Sequence, residues 1–426
     1  MKYYKTHTLG CKVNTYETQA IKELLNKNGY EESLEDNPLC DVYIINTCAV
    51  TSIGEQKSRQ KIRSAIKKYP GSVIVVMGCY SQLHSEEVQE IEGTSIIIGT
   101  QDRKRIVELL DEYFKNEEQI NIVSKNTRQR TYECLDISSY QENTRAFLKI
   151  QDGCNNFCSY CIIPYTRGNF RSRPKEEVLN EVKRLVDNGF KEIVLTGIDT
   201  SSYGKDLENY TFDDLLKDIL ITAPSLKRLR ISSIEESCLS DEFISLLQTS
   251  PVIAHHLHLP LQSGSKTVLE RMKRKYTKEE FYSTIKKIKE AVPDMAFACD
   301  VIVGFPGESE EEFNETCEFI KKCGFAYLHV FPYSKRPGTP ASVMKDQVDP
   351  KIKKERASKL IALGEELKRN YEVQFEGKEV DVLIETFDEK KQMYKGYSSN
   401  YLEVYVKSDI DICGQYIRTI YHRYQE

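Results

Sequence analysis

Cys154, Cys158 and Cys161 put three thiols into the eight residues Cys154-Asn155-Asn156-Phe157-Cys158-Ser159-Tyr160-Cys161. The spacing lets one tight loop aim three thiolates at a single point, and no other stretch constrains the fold as strongly. Thiolate is a soft ligand suited to zinc or iron–sulfur clusters. Structural zinc normally closes its shell with four protein ligands, often as two pairs. No partner stands at such a spacing here, and the nearest downstream histidine is His255. Three ligands leave one metal position open for a substrate or cofactor. A three-ligand zinc or a cluster of buried thiols are the plainer alternatives.

A second set is scattered. Cys11, Cys48 and Cys79 each follow a strand-like run: Tyr3 to Leu9, Val42 to Thr47 and Val73 to Gly78. In an open parallel sheet the carboxyl ends of strands share one edge, where ligands collect. Three cysteines on three such ends can therefore converge. Ordinary burial is the competing reading, since cysteine is among the most buried residue types. The other seven, Cys40, Cys134, Cys238, Cys299, Cys317, Cys323 and Cys413, show no ligand spacing and read as core or incidental.

Cys-x3-Cys-x2-Cys with Tyr160 before the last cysteine resembles the radical S-adenosylmethionine signature. In that superfamily three cysteines hold a 4Fe–4S cluster and the methionyl amine and carboxylate of S-adenosylmethionine chelate its unique iron. Reductive cleavage then yields methionine and a 5′-deoxyadenosyl radical; the cofactor carries the chemistry and the protein supplies position. Thr8-Leu9-Gly10-Cys11-Lys12-Val13-Asn14-Thr15-Tyr16-Glu17, Asn46-Thr47-Cys48-Ala49-Val50-Thr51 and Gly78-Cys79-Tyr80-Ser81-Gln82 resemble the amino-terminal domain of the methylthiotransferases. The resemblance implies a second, auxiliary 4Fe–4S cluster on Cys11, Cys48 and Cys79. One S-adenosylmethionine would methylate sulfur held there, and another would yield the radical that activates the substrate.

Organisation fits that family in order. Residues 1–118 alternate strand-like and helix-like segments, with Ser95 to Gly99 as a further strand and Thr15 to Lys27 and Arg103 to Phe114 as helices, predicting an open parallel α/β sheet. Asn116 to Thr144 lacks a sustained period and reads as a linker. Residues 140–370 hold six strand candidates: Phe147 to Gln151, Glu192 to Thr196, Leu229 to Ser232, His256 to Leu259, Phe297 to Val303 and Tyr327 to Phe331. Helical patterns between them predict a partial (β/α)6 barrel with its chemistry at the carboxyl ends of the strands, where the local triad falls. Residues 371–426 hold eight tyrosines and short alternating strands, predicting a small β-barrel. This last piece resembles the TRAM domain, an RNA-binding module.

Matching segments assign the cofactor contacts that the resemblance implies. Thr196 and Gly197 would approach the methionine part of S-adenosylmethionine, and Ser233 and Glu235 its ribose side. Val303 and Gly304 would pass beneath the adenine, with Tyr160 near it. Without the cysteines, Gly304-Phe305-Pro306-Gly307 is merely a turn. His255, His256 and His258 look like a metal set, but strand alternation puts only His256 and His258 on one face, and packing with hydrogen bonding is the better reading.

The form of the first cysteine motif resembles the branch that methylthiolates N6-threonylcarbamoyladenosine at position 37 of transfer RNA, on position 2 of the adenine. Sister branches act on the isopentenylated adenosine or on a ribosomal-protein aspartate. An anticodon stem-loop partner suits three basic runs: Lys57, Arg59, Lys61, Arg63, Lys67 and Lys68; Arg167, Arg171 and Arg173; and Arg271, Lys273, Arg274 and Lys275. Against it, residues 371–426 carry seven Lys or Arg and eleven Asp or Glu, a net of −4 that suits a basic protein better than phosphate. An electron donor and a sulfur source, both of unknown identity, complete the implied partners. No stretch approaches the roughly eighteen apolar residues of a membrane span. With thirteen cysteines and no apolar signal core at the amino terminus, a cytoplasmic setting is expected.

Overall fold

The computed structural model describes every residue except 1, 34–36, 129, 136, 138–143 and 424–426. Part of the expected linker therefore lies outside the described residues.

The amino-terminal unit is a parallel sheet of β1 (Lys2–Thr8), β2 (Tyr30–Glu32), β3 (Val42–Thr47), β4 (Val73–Gly78), β5 (Ile96–Ile97) and β6 (Ile120–Asn121), in the order β2-β1-β3-β4-β5-β6. Every residue of β3 and β4 is buried, because helices cover both faces and both sides of each strand must be apolar. The chain order reverses between β1 and β3, the switch point where such sheets open a crevice beyond the strand ends. The sixth strand falls in the stretch expected to be a linker. That stretch is partly core: Leu135 and Ile137 are buried, and Glu133 pairs with the buried Arg103.

Next come β7 (Ala146–Lys149) and the short antiparallel pair β8 (Gln151–Asp152) and β9 (Arg171–Ser172), which brackets the local cysteine loop. Five longer strands follow: β10 (Glu192–Thr196), β11 (Arg228–Ile231), β12 (His256–Gln262), β13 (Ala296–Val303) and β14 (Tyr327–Pro332). They pair in parallel as β11-β10-β7 and β12-β13-β14. Isolated parallel bridges at Leu229–Ile253 and Ser233–His258 join the two halves into the six-stranded arc expected. Alternation divides its faces. Leu195, Leu229, Leu257, Cys299 and Val301 join the core beneath the helices, so Thr196, Arg230, His258, Asp300 and His329 line the inside. The helix Pro350–Val373 packs on β14 and closes the unit.

The carboxyl-terminal strands β15 (Glu379–Asp388), β16 (Met393–Ser398), β17 (Glu403–Val406) and β18 (Tyr416–Ile420) form one antiparallel sheet, β17-β16-β15-β18. It sits against the amino ends of the barrel strands. Arg228 donates to the carbonyls of Tyr397 and Asp381, and Arg230 to those of Ser398 and Ser399. Glu192 holds both arginines in place, at 2.9 and 2.8 Å. No described helix is long and apolar enough to cross a membrane.

Candidate metal centres

Strand register assembles the scattered triad. Thr8 pairs with Asn46 and Thr47 with Gly78, so the ends of β1, β3 and β4 lie level at the switch point. Cys11, Cys48 and Cys79 are the residues just beyond. Gly10, Gly78 and Gly153 each have positive φ and each precedes a triad cysteine. At Gly78, with φ of +104°, a Cβ would stand 2.5 Å from Asn46 Oδ1 and 2.6 Å from the Thr47 carbonyl. Only glycine allows that close approach, which turns Cys79 back over the sheet. Asn14 braces the edge: its Nδ2 donates to the Leu9 carbonyl at 2.7 Å and to that of Thr47 at 3.2 Å.

The local triad is held by its own turn and by the barrel. Cys154 N–H donates to the Gly168 carbonyl and Cys161 N–H to that of Cys158. Ser159 is pinned by hydrogen bonds to the carbonyls of Met272 and Arg271. Gly153 has φ of +72°, and a Cβ there would meet the Asn169 carbonyl oxygen at 2.0 Å. Cys154 Sγ lies 3.6 Å from Asp199 Oδ2, and Arg274 Nη1 lies 3.2 Å from Cys158 Sγ. Arg274 also pairs with Glu235 at 2.7 Å, and Asn156 bridges Asp199 and Glu235.

Burial pushes these thiols up: Cys79 and Cys161 to about 12, with Cys48 and Cys154 also raised. Such groups stay protonated until a cation displaces the proton, as thiolate-bound metal does. Among the described residues, one group of three potential ligands has all its donor atoms within 4.8 Å of one another, and it is His258, Asp300 and His329. Neither cysteine triad closes that tightly. Three thiolates around a single zinc, each about 2.3 Å from it, would have to. The donor chemistry of three thiolates fits an iron–sulfur cluster.

The two triads are locked together by buried charge. Arg167, at the end of the helix Ile163–Arg167 beyond the local loop, reaches Glu17 at 2.8 Å, Asp152 at 3.0 Å and Asn14 at 2.9 Å. Its charge also acts on Cys48 and Cys79. Glu17, on the helix Lys12–Lys27, additionally binds Arg103 and Lys149. This corrects the basic run expected at Arg167, Arg171 and Arg173. All three are buried and paired, with Glu17, Asp152 and Glu181, because each carboxylate needs a cation once it leaves water. Arg271 and Arg274 are likewise committed, to Glu312 and Glu235, which leaves Lys273 and Lys275 exposed. The helix Ser52–Lys68 keeps its basic face: Lys57, Arg63, Lys67 and Lys68 are exposed, while its Glu55 is paired with Arg336 and His84.

Thr196 ends β10 on the inner face, and Gly197 follows it against Gln151. Ser233 accepts a hydrogen bond from Thr200 Oγ1 through its carbonyl. Tyr160 packs against the buried cluster of Val268, Met272, Phe305, Tyr333 and Ala341. Gly304 N–H donates to Glu308 Oε1 at 2.8 Å. Val303 points into the helix-side core and can meet a cofactor only through its backbone. Sequence reasoning did not single out Asn156, Asp199 as a thiol partner, or Arg274 as a guard of Cys158. Each depends on contacts between segments more than 35 residues apart, for which no local signal exists.

His256 and His258 do share the inner face. His256 stacks on Tyr401 of the carboxyl-terminal sheet, with ring centroids 4.6 Å apart. His258 Nε2 sits 3.0 Å from Asp300, and His255 pairs with Asp294 on the other side.

Comparison with known proteins agrees with this architecture. Residues 148–320 match the Radical SAM superfamily, and residues 3–99 match the Uncharacterized protein family UPF0004. The chain is 50% identical over 415 residues to the threonylcarbamoyladenosine tRNA methylthiotransferase MtaB of Bacillus subtilis, covering 97% of this chain and 92% of that protein. A tRNA-2-methylthio-N(6)-dimethylallyladenosine synthase of Thermoanaerobacter is 38% identical, over 90% of this chain and 82% of that one. In fold it is similar to the radical S-adenosylmethionine methyltransferase TsrM of Kitasatospora setae, with a TM-score of 0.60 at 14% identity, covering 80% of this chain and 75% of that one.

Proposed function

The chain belongs to the radical S-adenosylmethionine methylthiotransferases of the MtaB branch, which act on transfer RNA, and from that premise we propose its substrate, its cluster count and its site residues. The substrate is N6-threonylcarbamoyladenosine at position 37, methylthiolated on position 2 of the adenine. Two 4Fe–4S clusters serve it, one on Cys154, Cys158 and Cys161 and one on Cys11, Cys48 and Cys79. When bound, the first would supply the electron that cleaves S-adenosylmethionine, and the second the sulfur that becomes methylthio.

The observation that supports this reading is the buried charge network between the two cysteine-bearing units: Arg167, at the end of the helix that follows the local loop, pairs with Glu17 and Asp152, and its charge acts on Cys48 and Cys79. This chain's residues do the positioning. Thr196, Gly197, Ser233, Glu235 and Gly304, with Val303 through its backbone, would contact S-adenosylmethionine. Tyr160, packed on the buried cluster that includes Phe305, would close one side of the cofactor site. Arg274 offsets the negative charge of thiolate at Cys158.

For the RNA, Lys57, Arg63, Lys67 and Lys68 offer phosphate contacts on one exposed helix face. The acidic count of the carboxyl-terminal sheet weighs less than its sum implies. Glu385 is paired with Arg145, a cation from outside that segment. Threonylcarbamoyl is preferred over isopentenyl because the relative bearing that name is the more similar of the two, 50% against 38%.

The test is mass spectrometry of nucleosides in transfer RNA from a deletion strain and its complemented counterpart. Loss and recovery of 2-methylthio-N6-threonylcarbamoyladenosine is the expected result. Loss of the isopentenyl counterpart moves the chain to the sister branch. Unchanged transfer RNA redirects the search to the ribosomal protein.

A further inference from the structure

Away from the cysteines, one group of side chains among the described residues brings three potential metal ligands together. His258 of β12, Asp300 of β13 and His329 of β14 come from three adjacent parallel strands and line the inside of the barrel. Register sets them side by side. Asp300 stands directly opposite His329, and His258 stands opposite Ala298, two residues before Asp300 on the same face. Ala298 carries only a methyl group, which leaves room for the imidazole of His258 to reach the carboxylate.

Their donor atoms converge. His258 Nε2 lies 3.0 Å from Asp300 Oδ1, and His329 Nδ1 lies 3.4 Å from the same oxygen. One donor atom from each residue falls within 4.8 Å of the other two, and the imidazole centroids are 5.0 Å apart. Ligands bound to a cation at about 2.1 Å stand about 3.0 Å apart at octahedral angles and about 3.4 Å apart at tetrahedral ones. The two contacts at Asp300 have the lengths of such edges. An ordinary imidazole–carboxylate pair looks different in this same molecule: His255 Nδ1 meets both oxygens of Asp294, each at 2.9 Å. At Asp300 two imidazoles crowd one oxygen instead, and a cation among the three turns that crowding into coordination.

Side-chain exposure rises from 15% at His258 through 28% at Asp300 to 53% at His329, so the group opens on its β14 side. An ion can reach it without unfolding the barrel. Two imidazoles and a carboxylate suit a divalent cation of the zinc or ferrous kind, a choice of donors unlike the all-thiolate triads. Strands rather than loops carry all three, and rigid elements hold such a constellation more precisely.

We propose that His258, Asp300 and His329 bind one divalent transition-metal ion on the inner face of the barrel, sharing no ligand with either cysteine triad. Three protein ligands leave its remaining positions to water or another oxygen donor. The site needs only the three strands, so it stands independently of the substrate reading.

Zinc is the probe, because it fills the site without adding to the iron of the clusters. Anaerobically prepared, cluster-loaded protein is dialysed against a series of buffered zinc concentrations, and zinc and iron per chain are measured. X-ray absorption at the zinc edge then identifies the neighbours of the bound ion. The wild type should hold one zinc per chain in a shell of nitrogen and oxygen at about 2.0–2.2 Å, without sulfur at about 2.3 Å. His329→Gln and Asp300→Asn should each weaken zinc binding by roughly tenfold or more, the loss expected even of a residue that only supports a ligand. Iron should stay at the wild-type level in both. Absence of stoichiometric zinc from the wild type overturns the proposal, whether or not either variant folds. Zinc bound through sulfur overturns it too, since the ion would then sit on cysteines, and so does binding that neither substitution weakens.

Discussion

Cys154, Cys158 and Cys161 ride on one loop between two-residue strands, whereas Cys11, Cys48 and Cys79 come from the ends of three strands spread over the amino-terminal sheet. The first site needs little beyond its own turn, because eight residues carry all three ligands. The second exists only if strand register is right and if Glu17, Arg103 and Arg167 hold the sheet edge against the barrel. A metal site on one loop therefore tolerates loosening of the fold, and a site assembled from distant segments does not. That difference can be broken or sharpened by substitution.

The largest effect is expected from the ligands. Cys158→Ala should abolish both 5′-deoxyadenosine formation and methylthio product. Cys48→Ala should remove the product while S-adenosylmethionine cleavage persists. Chromatography of both compounds from one reaction checks this, and loss of cleavage in both variants would erase the division of labour between the triads.

Next is Glu17→Gln. It removes one carboxylate from Arg167, Arg103 and Lys149, which keep Asp152 and Glu133, and breaking a buried pair costs roughly 3–5 kcal/mol. Denaturant unfolding should show that loss, and iron and sulfide should fall toward one cluster's worth, the assembled site emptying first. Equal loss from both would mean that the network serves the local loop just as much.

Gly78→Ala comes third. The left-handed backbone alone costs about 1–2 kcal/mol, and the clash with Asn46 and the Thr47 carbonyl adds to it. Gly189→Ala is the control, since its φ is also positive, at +91°, but nothing lies within 4 Å. Iron analysis should find the auxiliary site depleted in the first variant and full in the second.

The smallest effect is the pH dependence at the far end of the barrel. Burial alone would raise the carboxyl of Glu192, but Arg230 and Arg228 outweigh it and bring it down to about 2. A carboxyl lower in the folded state than its ordinary 4.5 stabilises fully above pH 4.5 and loses that contribution as pH falls through about 2. Unfolding midpoints measured across that window should decline in the wild type and decline less in Glu192→Gln. An identical slope would mean that the junction with the carboxyl-terminal sheet does not depend on this carboxylate.

Much of this was legible along the chain. The runs Val42–Thr47, Val73–Gly78 and Glu192–Thr196 are strands with the ends expected, because buried parallel strands read as short apolar runs. The arginines were not legible. Arg167, Arg171 and Arg173 look like a phosphate-binding run, and only their buried partners Glu17, Asp152 and Glu181 reveal them as struts. Charge in a sequence does not say which side of the surface it will occupy. His258 was read without Asp300 and His329, which come from strands beginning some 40 and 71 residues later.

The sequence by itself determined the candidate ligands and the order of the folding units, since cysteine spacing and apolar periodicity are local properties of the chain. Tertiary structure alone decided that the ends of β1, β3 and β4 lie level and that the run Arg167, Arg171 and Arg173 is internal. Each of those depends on which distant groups share a low-dielectric interior, and a buried charge takes its meaning from the neighbours that folding brings to it.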